Sequence, residues 1–441
     1  MPDGWRRGVR LTITAGSISA IEVDAAAQPD DEQHAFAVPG VANVHSHAFQ
    51  RAMAGLAERR GPGDDNFWSW REAMYRFGLT MNPDQMQAVA AQLYVEMLEA
   101  GFTRVGEFHY LHHAPDGRPY DDIAELSARI AAAAAQTQIG LTLLPVFYAH
   151  SDFGGAPPTR GQRRFVCDLE SYARLVDGAR RSLASLPGAN LGLAPHSLRA
   201  VTPDELAAVV ALAGNAPLHI HAAEQVAEVE ASVAWSGARP VQYLLDHAPV
   251  DARWCLIHAT HMDPQETRRL ADSGAVVGLC PITEANLGDG VFEASTYLER
   301  GGRFAIGTDS NVQIALTGEL RQLEYSQRLK RRARNVLTRP GDSTGRALLD
   351  GAQIGGPVAL CRPVGGLSVG SDADVVTLRG DALSWLGGDP DTALDAWIFS
   401  GALLVDCVYA RGQPVVQHGA HFAREPIRAR FREAMRELLA N

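Results

Sequence analysis

From Val41 onward, short apolar runs alternate with longer stretches whose apolar residues recur at helical spacing. We predict eight strands, at VANVHSH (41–47), FTRVGEF (102–108), LTLLPVF (141–147), LGLAPHS (191–197), PLHIHAAE (217–224), WCLIHAT (254–260), AVVGLCPIT (275–283) and RFAIGTDS (303–310). Buried strands that alternate with helices predict an α/β fold, either a (β/α)8 TIM-type barrel or a doubly wound open sheet. We favour the barrel because polar residues follow many of these strands, at the ends where barrel active sites lie.

The segments between the runs carry helix signals. QMQAVAAQLYVEMLEAG closes on Gly101, a residue type that is common just past a helix C terminus. TPDELAAVVALAG opens with Thr202, Pro203 and Glu205, which suit an N-cap, a first-turn proline and an acid near the helix start. These signals strengthen the prediction of strands alternating with helices.

The two ends of the chain depart from this alternation. Short strand-like pieces and turns fill the region before residue 40, and similar pieces return in GGLSVGSDADVVTLRG and LLVDCVYARGQPVVQ. We therefore predict a small β-sandwich-like domain formed by residues 1–39 and 365–420. The barrel would then span residues 40–364, and residues 421–441 would form a C-terminal helix.

Composition removes several classes of function. The 441-residue chain carries a net charge of −11, whereas binding to nucleic acid or to anionic membranes needs basic patches. Its five cysteines are scattered without a CxxC pair, which favours free thiols over disulfides. We find neither a signal-peptide pattern nor an apolar run of the roughly 18 residues that a membrane span needs. We expect a cytoplasmic protein that acts on a small molecule.

Histidines and one aspartate end several predicted strands. His45 and His47 are two residues apart in a strand, so their side chains point to the same side. Asp309 ends the eighth run. His219 and His221 share a face of the fifth run, and His221 lies nearer the carboxyl end. Three neutral imidazoles and one carboxylate would suit zinc, with iron(II) as the alternative.

Arginines near the same strand ends indicate the charge of the substrate. Arg71 follows the first strand and Arg199 the fourth, while Gln50 and Tyr110 lie close to strand ends. A guanidinium binds a carboxylate through two parallel hydrogen bonds, so these arginines predict a small anionic substrate. Surface salt bridges are the alternative explanation for both arginines.

The motifs VANVHSHAFQRAM, HIHAAE, LIHATH and GTDS resemble the amidohydrolase superfamily in its deaminase branch. The resemblance covers nearly the whole chain. It implies that the metal ligands are His45, His47, His221 and Asp309. It further implies that Glu224 shuttles protons and that His258, rather than His261, acts at the end of the sixth strand, with Asp309 as a third catalytic group.

Lysine content separates one-metal from two-metal members of that superfamily. Members with two ions bridge them with a carboxylated lysine from the barrel, and the only lysine here is Lys330, in a predicted helix beyond the eighth strand. We therefore predict one divalent metal per subunit.

A narrower resemblance rests on HSHAFQRAMAG, FWSWREAMY, GEFHYLHH, APHSLRAV, HAAEQ, HATH and CPITEANLGDG. These segments are similar to the N-formimino-L-glutamate deiminases of histidine breakdown, which release ammonia and N-formyl-L-glutamate. The resemblance implies a homodimer. It also implies that the substrate is held by Gln50, Arg71, Tyr110, His196 and Arg199. Two alternatives stay open, namely a deaminase of guanine or a related aminoheterocycle, and a metal-free barrel that acts as a scaffold or binding protein.

Overall fold

The computed structural model describes residues 4–60, 63, 65–364, 366–380 and 389–440. Three short strands come first, β1 (Arg10–Thr14), β2 (Ser17–Glu22) and β3 (Phe36–Pro39). The next nine are β4 (Val41–Ser46), β5 (Phe102–His109), β6 (Gly140–Phe147), β7 (Asn190–Leu191), β8 (Ala194–Pro195), β9 (Leu218–Ala222), β10 (Trp254–His258), β11 (Val276–Leu279) and β12 (Arg303–Ile306). Because β7 and β8 are two pieces of one strand, these segments correspond to the eight predicted runs.

The strands from β4 to β12 form a closed parallel barrel. They are ordered β7-β6-β5-β4-β12-β11-β10-β9, with β8 also paired to β6. Parallel bridges between Leu193 and Leu218 and between Ser197 and His221 join the two ends of this order. The predicted barrel is therefore confirmed, and the open doubly wound sheet is excluded.

Helices surround the barrel, and the first and the ninth of them also reach its mouth. They are α1 (Phe67–Gly78), α2 (Pro83–Glu99), α3 (Glu125–Thr137), α4 (Leu169–Leu183), α5 (Pro203–Ala213), α6 (Val226–Ser236), α7 (Pro240–His247), α8 (Pro264–Ser273), α9 (Pro281–Leu287), α10 (Ala294–Glu299), α11 (Leu316–Arg331) and α12 (Thr344–Ala359). The cap predicted for TPDELAAVVALAG is present, because Thr202 and Glu205 form a reciprocal capping box at the start of α5. Gly101, at φ +97°, follows the end of α2 as predicted.

Residues from both chain ends build a second sheet. Its strands are β3 together with β13 (Val375–Gly380), β14 (Leu403–Ala410), β15 (Gln413–Gln417) and β16 (Ala420–His421), ordered β16-β15-β14-β13-β3. The β1–β2 hairpin packs beside it through an apolar cluster around Ile18 and Val375. This antiparallel sheet confirms the predicted pairing of the two ends.

The last helices follow β13 and β16. They are α13 (Asp391–Asp395), which continues into a π-helical turn at Ala396–Ser400, and α14 (Arg424–Ala440). The predicted domain boundaries at 39/40, 364/365 and 420/421 stay predictions. Within the predicted domains, positions 1–3, 61, 62, 64, 365, 381–388 and 441 lie outside the described residues. None of the described helices has both the length and the apolar character that crossing a membrane requires.

Candidate active site

Four of the predicted site residues form a buried cluster at the carboxyl ends of three barrel strands. One ligand atom from each of His45, His47, His221 and Asp309 lies within 4.8 Å of the others. Asp309 Oδ1 is 3.4 Å from His45 Nε2 and 3.1 Å from His47 Nε2, and His221 Nε2 is 3.0 Å from His45 Nε2. None of these residues is more than 6% exposed. Barrel closure therefore brings together donors that lie as far apart in the chain as the first and eighth strands.

Backbone carbonyls fix the orientation of two of these imidazoles. His47 Nδ1 donates to Phe108 O and His221 Nδ1 donates to His196 O, each at 2.9 Å. Because a carbonyl can only accept, Nδ1 carries the proton and Nε2 keeps its lone pair. Burial also lowers the pKa of His45 to about 3, which keeps this imidazole neutral. Neutral imidazoles whose second nitrogen is tied to a carbonyl are typical of metal ligands, so the donor set fits a divalent metal such as zinc.

The structure separates the two histidines that the sequence left ambiguous from this cluster. His219 Nε2 donates to Ala359 O, at the carboxyl end of α12, at 2.8 Å. His261 Nε2 donates to Asp289 O at 2.7 Å. Neither residue belongs to the four-residue cluster, whereas His221 does.

A buried amide and hydroxyl network holds the first and eighth strands together beneath the cluster. Asn43 Nδ2 donates to Thr308 Oγ1 at 2.7 Å, and Thr308 Oγ1 donates to Asn311 Oδ1 at 2.6 Å. Asn311 Nδ2 then donates to His47 O at 3.0 Å. This network fixes the turn that carries Asp309, whose φ of +44° is unusual for a residue with a side chain. The sequence analysis missed all three residues of the network.

Glu224 and His258 lie next to the cluster. His258 Nε2 is 3.8 Å from Glu224 Oε1 and 3.8 Å from Asp309 Oδ2. Burial raises the pKa of Glu224 to about 7, so this carboxyl can both take up and release a proton near neutrality. Burial opposes a charged His258, but the carboxylates of Glu224, Glu284 and Asp309 outweigh it and raise the pKa of His258 to about 10.

Glu284 orients His258 from behind. Its Oε1 lies 3.2 Å from His258 Nδ1 and accepts the backbone N–H of Cys280 at 2.9 Å. Because a carboxylate is an acceptor here, His258 Nδ1 donates to it and Nε2 faces Glu224 and Asp309. The motif CPITEANLGDG contained this residue, but nothing in the motif showed which histidine it would contact.

A cavity opens above the cluster. All five residues predicted to hold the substrate line it, namely Gln50, Arg71, Tyr110, His196 and Arg199. Its other lining residues include Phe67, Trp70, Met74 and Tyr75 of α1, and also Tyr148, Phe165 and Leu287, none of which the sequence analysis identified as site residues. The α1 members recur three and four residues apart, so helical periodicity could have found them.

The two cavity arginines have no carboxylate partner in the described part of the chain. Arg199 is only 9% exposed, and its Nε has no hydrogen-bond partner among the described residues. Within the same residues, no aspartate or glutamate oxygen lies within 4.0 Å of the Arg71 or Arg199 guanidinium. This arrangement contradicts the alternative of surface salt bridges. A cavity wall with two unpaired guanidinium groups is suited to an anionic ligand.

The single lysine lies away from this site. Lys330 is on α11, and its Nζ is 2.6 Å from Glu293 Oε1. No lysine is therefore present at the barrel mouth to bridge two ions.

Comparisons with known proteins agree with this geometry. The amidohydrolase family matches residues 36–415, and the family described as "Formimidoylglutamate deiminase HutF, N-terminal domain" matches residues 1–35. The chain belongs to the amidohydrolase family, whose members depend on a metal.

Individual relatives cover the chain almost completely. A formimidoylglutamate deiminase from Pseudomonas aeruginosa is 49% identical over 443 residues, which is 100% of this chain and 98% of the relative. The crystal structure of an amidohydrolase from Brucella melitensis is 58% identical, with a TM-score of 0.97, covering 100% of this chain and 98% of that one. An adenosine deaminase from Xanthomonas campestris, solved with bound zinc, shares the fold at 22% identity, with a TM-score of 0.79 over 98% of this chain and 94% of that one.

Proposed function

We propose that this protein hydrolyses N-formimino-L-glutamate to N-formyl-L-glutamate and ammonia. The observation that carries the proposal is the pair of unpaired guanidinium groups, Arg71 and Arg199, in the wall of the cavity above the histidine–aspartate cluster. A substrate that carries two carboxylates and an amidine can use both features at once. The 49% identity to a formimidoylglutamate deiminase over the full chain supports the same assignment.

His45, His47, His221 and Asp309 would hold one divalent metal, for which the nitrogen and oxygen donors favour zinc over iron(II). A divalent cation at this position supplies Lewis acidity, which lowers the pKa of a water molecule toward neutrality and makes it a competent nucleophile. Without a lysine at the barrel mouth, we propose one such ion per subunit.

Three side chains can transfer protons or donate hydrogen bonds during the reaction. Asp309 directs Oδ2 toward His258 and can accept the proton that the attacking water loses. Glu224, whose pKa lies near 7, can carry a proton to the nitrogen that leaves as ammonia. His258, anchored by Glu284, can donate a hydrogen bond from Nε2 to the group that gains charge. The net change forms a carbon–oxygen bond at the amidine carbon and breaks the carbon–nitrogen bond to the leaving group.

The remaining cavity residues orient the substrate. Arg71 and Arg199 bind its carboxylates, and Gln50, Tyr110 and His196 complete the wall. Gln50 Nε2 donates to Tyr110 OH at 2.9 Å, which leaves Gln50 Oε1 buried without a partner among the described residues. This free acceptor suits a substrate N–H group.

The direct test is a substrate panel with zinc-loaded protein. We expect ammonia release from N-formimino-L-glutamate, much less from N-formimino-L-aspartate, and none from guanine. Ammonia can be measured by a coupled glutamate dehydrogenase assay. Failure to release ammonia from the first compound with zinc or iron(II) would refute the proposal.

Arg71→Met separates this reaction from deamination of a neutral ring. Loss of a charge-assisted contact of about 1.5–3 kcal/mol should raise KM for N-formimino-L-glutamate about 10- to 100-fold, with a smaller effect on kcat. Arg76→Met is the matched control, since Arg76 lies in the last turn of the same helix and outside the cavity wall. If Arg71→Met leaves KM unchanged, Arg71 does not bind a carboxylate of the substrate.

The identity of the metal, a homodimer and a cytoplasmic location are further parts of the proposal, and they rest on the resemblance of the sequence. Elemental analysis of purified protein should give about one equivalent of zinc per chain. Light scattering coupled to size-exclusion chromatography should give the mass of two chains.

A further inference from the structure

Trp68 lies beside the cavity and not in its wall. It is the second residue of α1, it is 38% exposed, and it is not among the described residues that line the cavity. Arg71 is one helical turn further along, and its Cζ lies 4.5 Å from the centroid of the Trp68 ring. Arg199, which follows β8 on another part of the barrel, has its Cζ 5.9 Å from the same centroid. One indole therefore contacts both cavity arginines, although they come from distant segments.

Because neither arginine has a carboxylate partner within the described ranges, another group has to hold the two guanidinium groups in place, and the indole can do so. Two like charges share one cavity wall, and among the described residues no carboxylate oxygen lies within 4.0 Å of either guanidinium. Burial opposes a charged Arg199, and the more distant carboxylates of Glu228 and Glu224 help to raise its pKa. An arginine without a partner keeps many rotamers and tends to turn toward solvent. A cation within about 6 Å of an indole ring is attracted to it, and tryptophan is the strongest of the aromatic side chains in this respect. Trp68 can therefore hold both guanidinium groups without neutralising them.

The start of α1 fixes where the indole points. The Asn66 side chain accepts the backbone N–H of Trp68 at 2.9 Å and that of Ser69 at 3.4 Å. In turn, the Ser69 hydroxyl accepts the backbone N–H of Asn66. The Phe67 ring, which does line the cavity, meets the Trp68 ring edge to face at a centroid distance of 5.1 Å. The Asn66–Trp68 hydrogen bond and the Phe67 ring, neither of which requires the Ser69 hydroxyl, thus set the indole against the two arginines.

We propose that Trp68 is a positioning residue that preorganises Arg71 and Arg199 as a carboxylate clamp and so sets the affinity for a dianionic substrate. This inference rests on the proposed function, because it assumes that both arginines bind carboxylates of the substrate. Trp68 acts through the arginines and does not touch the substrate. Its removal should therefore weaken binding and leave the chemical step nearly intact.

The test compares Trp68→Leu with Trp68→Phe in zinc-loaded, full-length protein. We expect Trp68→Leu to raise KM for N-formimino-L-glutamate about tenfold, with kcat within about threefold of the parent. Calorimetric binding of N-formyl-L-glutamate should weaken by the same factor. Trp68→Phe keeps an aromatic face, so its KM and Kd should stay within about threefold of the parent.

Ser69→Ala is the control for a purely structural effect, since it weakens the cap of α1 without changing the ring. It should leave KM near the parent value, and thermal melting should show that all variants are folded. The inference is overturned if Trp68→Leu binds N-formyl-L-glutamate within twofold of the parent. It is equally overturned if Trp68→Phe is as weak as Trp68→Leu, if Ser69→Ala reproduces the tenfold rise, or if kcat falls while KM does not change. A parent protein that neither binds N-formyl-L-glutamate nor turns over its precursor would instead remove the proposed function itself.

Discussion

At the scale of single residues, the site depends on atoms that lie behind the functional side chains. Carbonyls of Phe108 and His196 accept the Nδ1 protons of His47 and His221, which makes both imidazoles suited to the metal-ligand role proposed for them. His258 has the corresponding support from Glu284, whose charge makes the hydrogen bond stronger than one to a carbonyl. The two carbonyls fix a tautomer as well as a direction, and Glu284 fixes the direction of the His258 ring. A change behind the site should therefore affect chemistry without altering the residues that contact the substrate.

Glu284→Gln tests this support. The amide oxygen can still accept from Cys280 and His258, but the negative charge that raises the pKa of His258 is lost, so a smaller fraction of the protein carries the proton on Nε2. We expect kcat to fall about tenfold or more, KM to change less than about threefold, and zinc content to stay the same. Steady-state kinetics and elemental analysis measure these quantities.

Glu293→Gln is a suitable control, because Glu293 pairs with Lys330 and Arg331 on the outside of the barrel. A Glu284→Gln enzyme with parental kcat would show that Glu284 only caps α9. A loss of zinc in this variant would show that it supports the metal cluster instead.

From the sequence, the positions of these side chains could be predicted only to the extent that strand alternation determines them. Alternation shows that His219 and His221 share a face, but it cannot separate them. The distinction depends on Ala359 O, a carbonyl of α12 that accepts from His219. In the same way, His261 donates a hydrogen bond to Asp289 O and does not line the cavity, whereas His258 does. The family resemblance had named His221 and His258, and the placement of both at the cavity agrees with it.

At the scale of elements, the eighth strand is held by a helix that the sequence analysis did not identify. Helix α12 contains Gly351, Gly355, Gly356 and Pro357, which are poor helix formers, so its pattern was weak. The same glycines let the helix approach the barrel closely. An added Cβ on Gly355 would lie 1.8 Å from Phe304 O, within β12. The glycines that lower the helix propensity of α12 are therefore the residues that allow the helix to pack closely against β12.

Gly355→Ala should therefore destabilise the protein even though alanine is the better helix former. A Cβ that overlaps the backbone of β12 forces the helix outward, at a cost of about 1–3 kcal/mol or more, against a propensity gain of about 1 kcal/mol. We expect a lower midpoint of urea unfolding and, because β12 leads to Asp309, weaker zinc retention against a chelator.

Gly356→Ala is the matched comparison. Its added Cβ would lie 3.1 Å from the Ala42 side chain, a contact that a small shift can relieve. This variant should lose clearly less stability than Gly355→Ala. If Gly355→Ala is as stable as the parent, the close approach of α12 does not limit the position of β12.

At the scale of the whole molecule, barrel closure converts a dispersed set of residues into one site of defined charge. The protein carries a net charge of −11, yet the cavity wall contains two unpaired arginines. The overall charge argued against nucleic acid as a partner, but only the fold could show that the positive groups converge. The alternation of runs and helices predicted the α/β class, and the polar residues at the strand ends favoured the barrel over the open sheet. The network of Asn43, Thr308 and Asn311 could not be predicted from the sequence, because it depends on the pairing of the first and eighth strands in space.

The same closure predicts that the metal contributes to the stability of the whole fold. The four-residue cluster joins β4, β9 and the segment after β12, so a bound ion would cross-link strands that are distant in sequence. A ligand that binds only the folded state stabilises it by RT ln(1 + [L]/Kd), about 2.7 kcal/mol when free metal exceeds Kd 100-fold. Protein stripped with dipicolinate should therefore remain folded by circular dichroism but melt several degrees lower in calorimetry, and added zinc should restore the original midpoint. His45→Ala removes one donor and should show little response to zinc in the same experiment. Equal melting midpoints for stripped and zinc-loaded parent protein would mean that the cluster does not bind the ion tightly enough to link these strands.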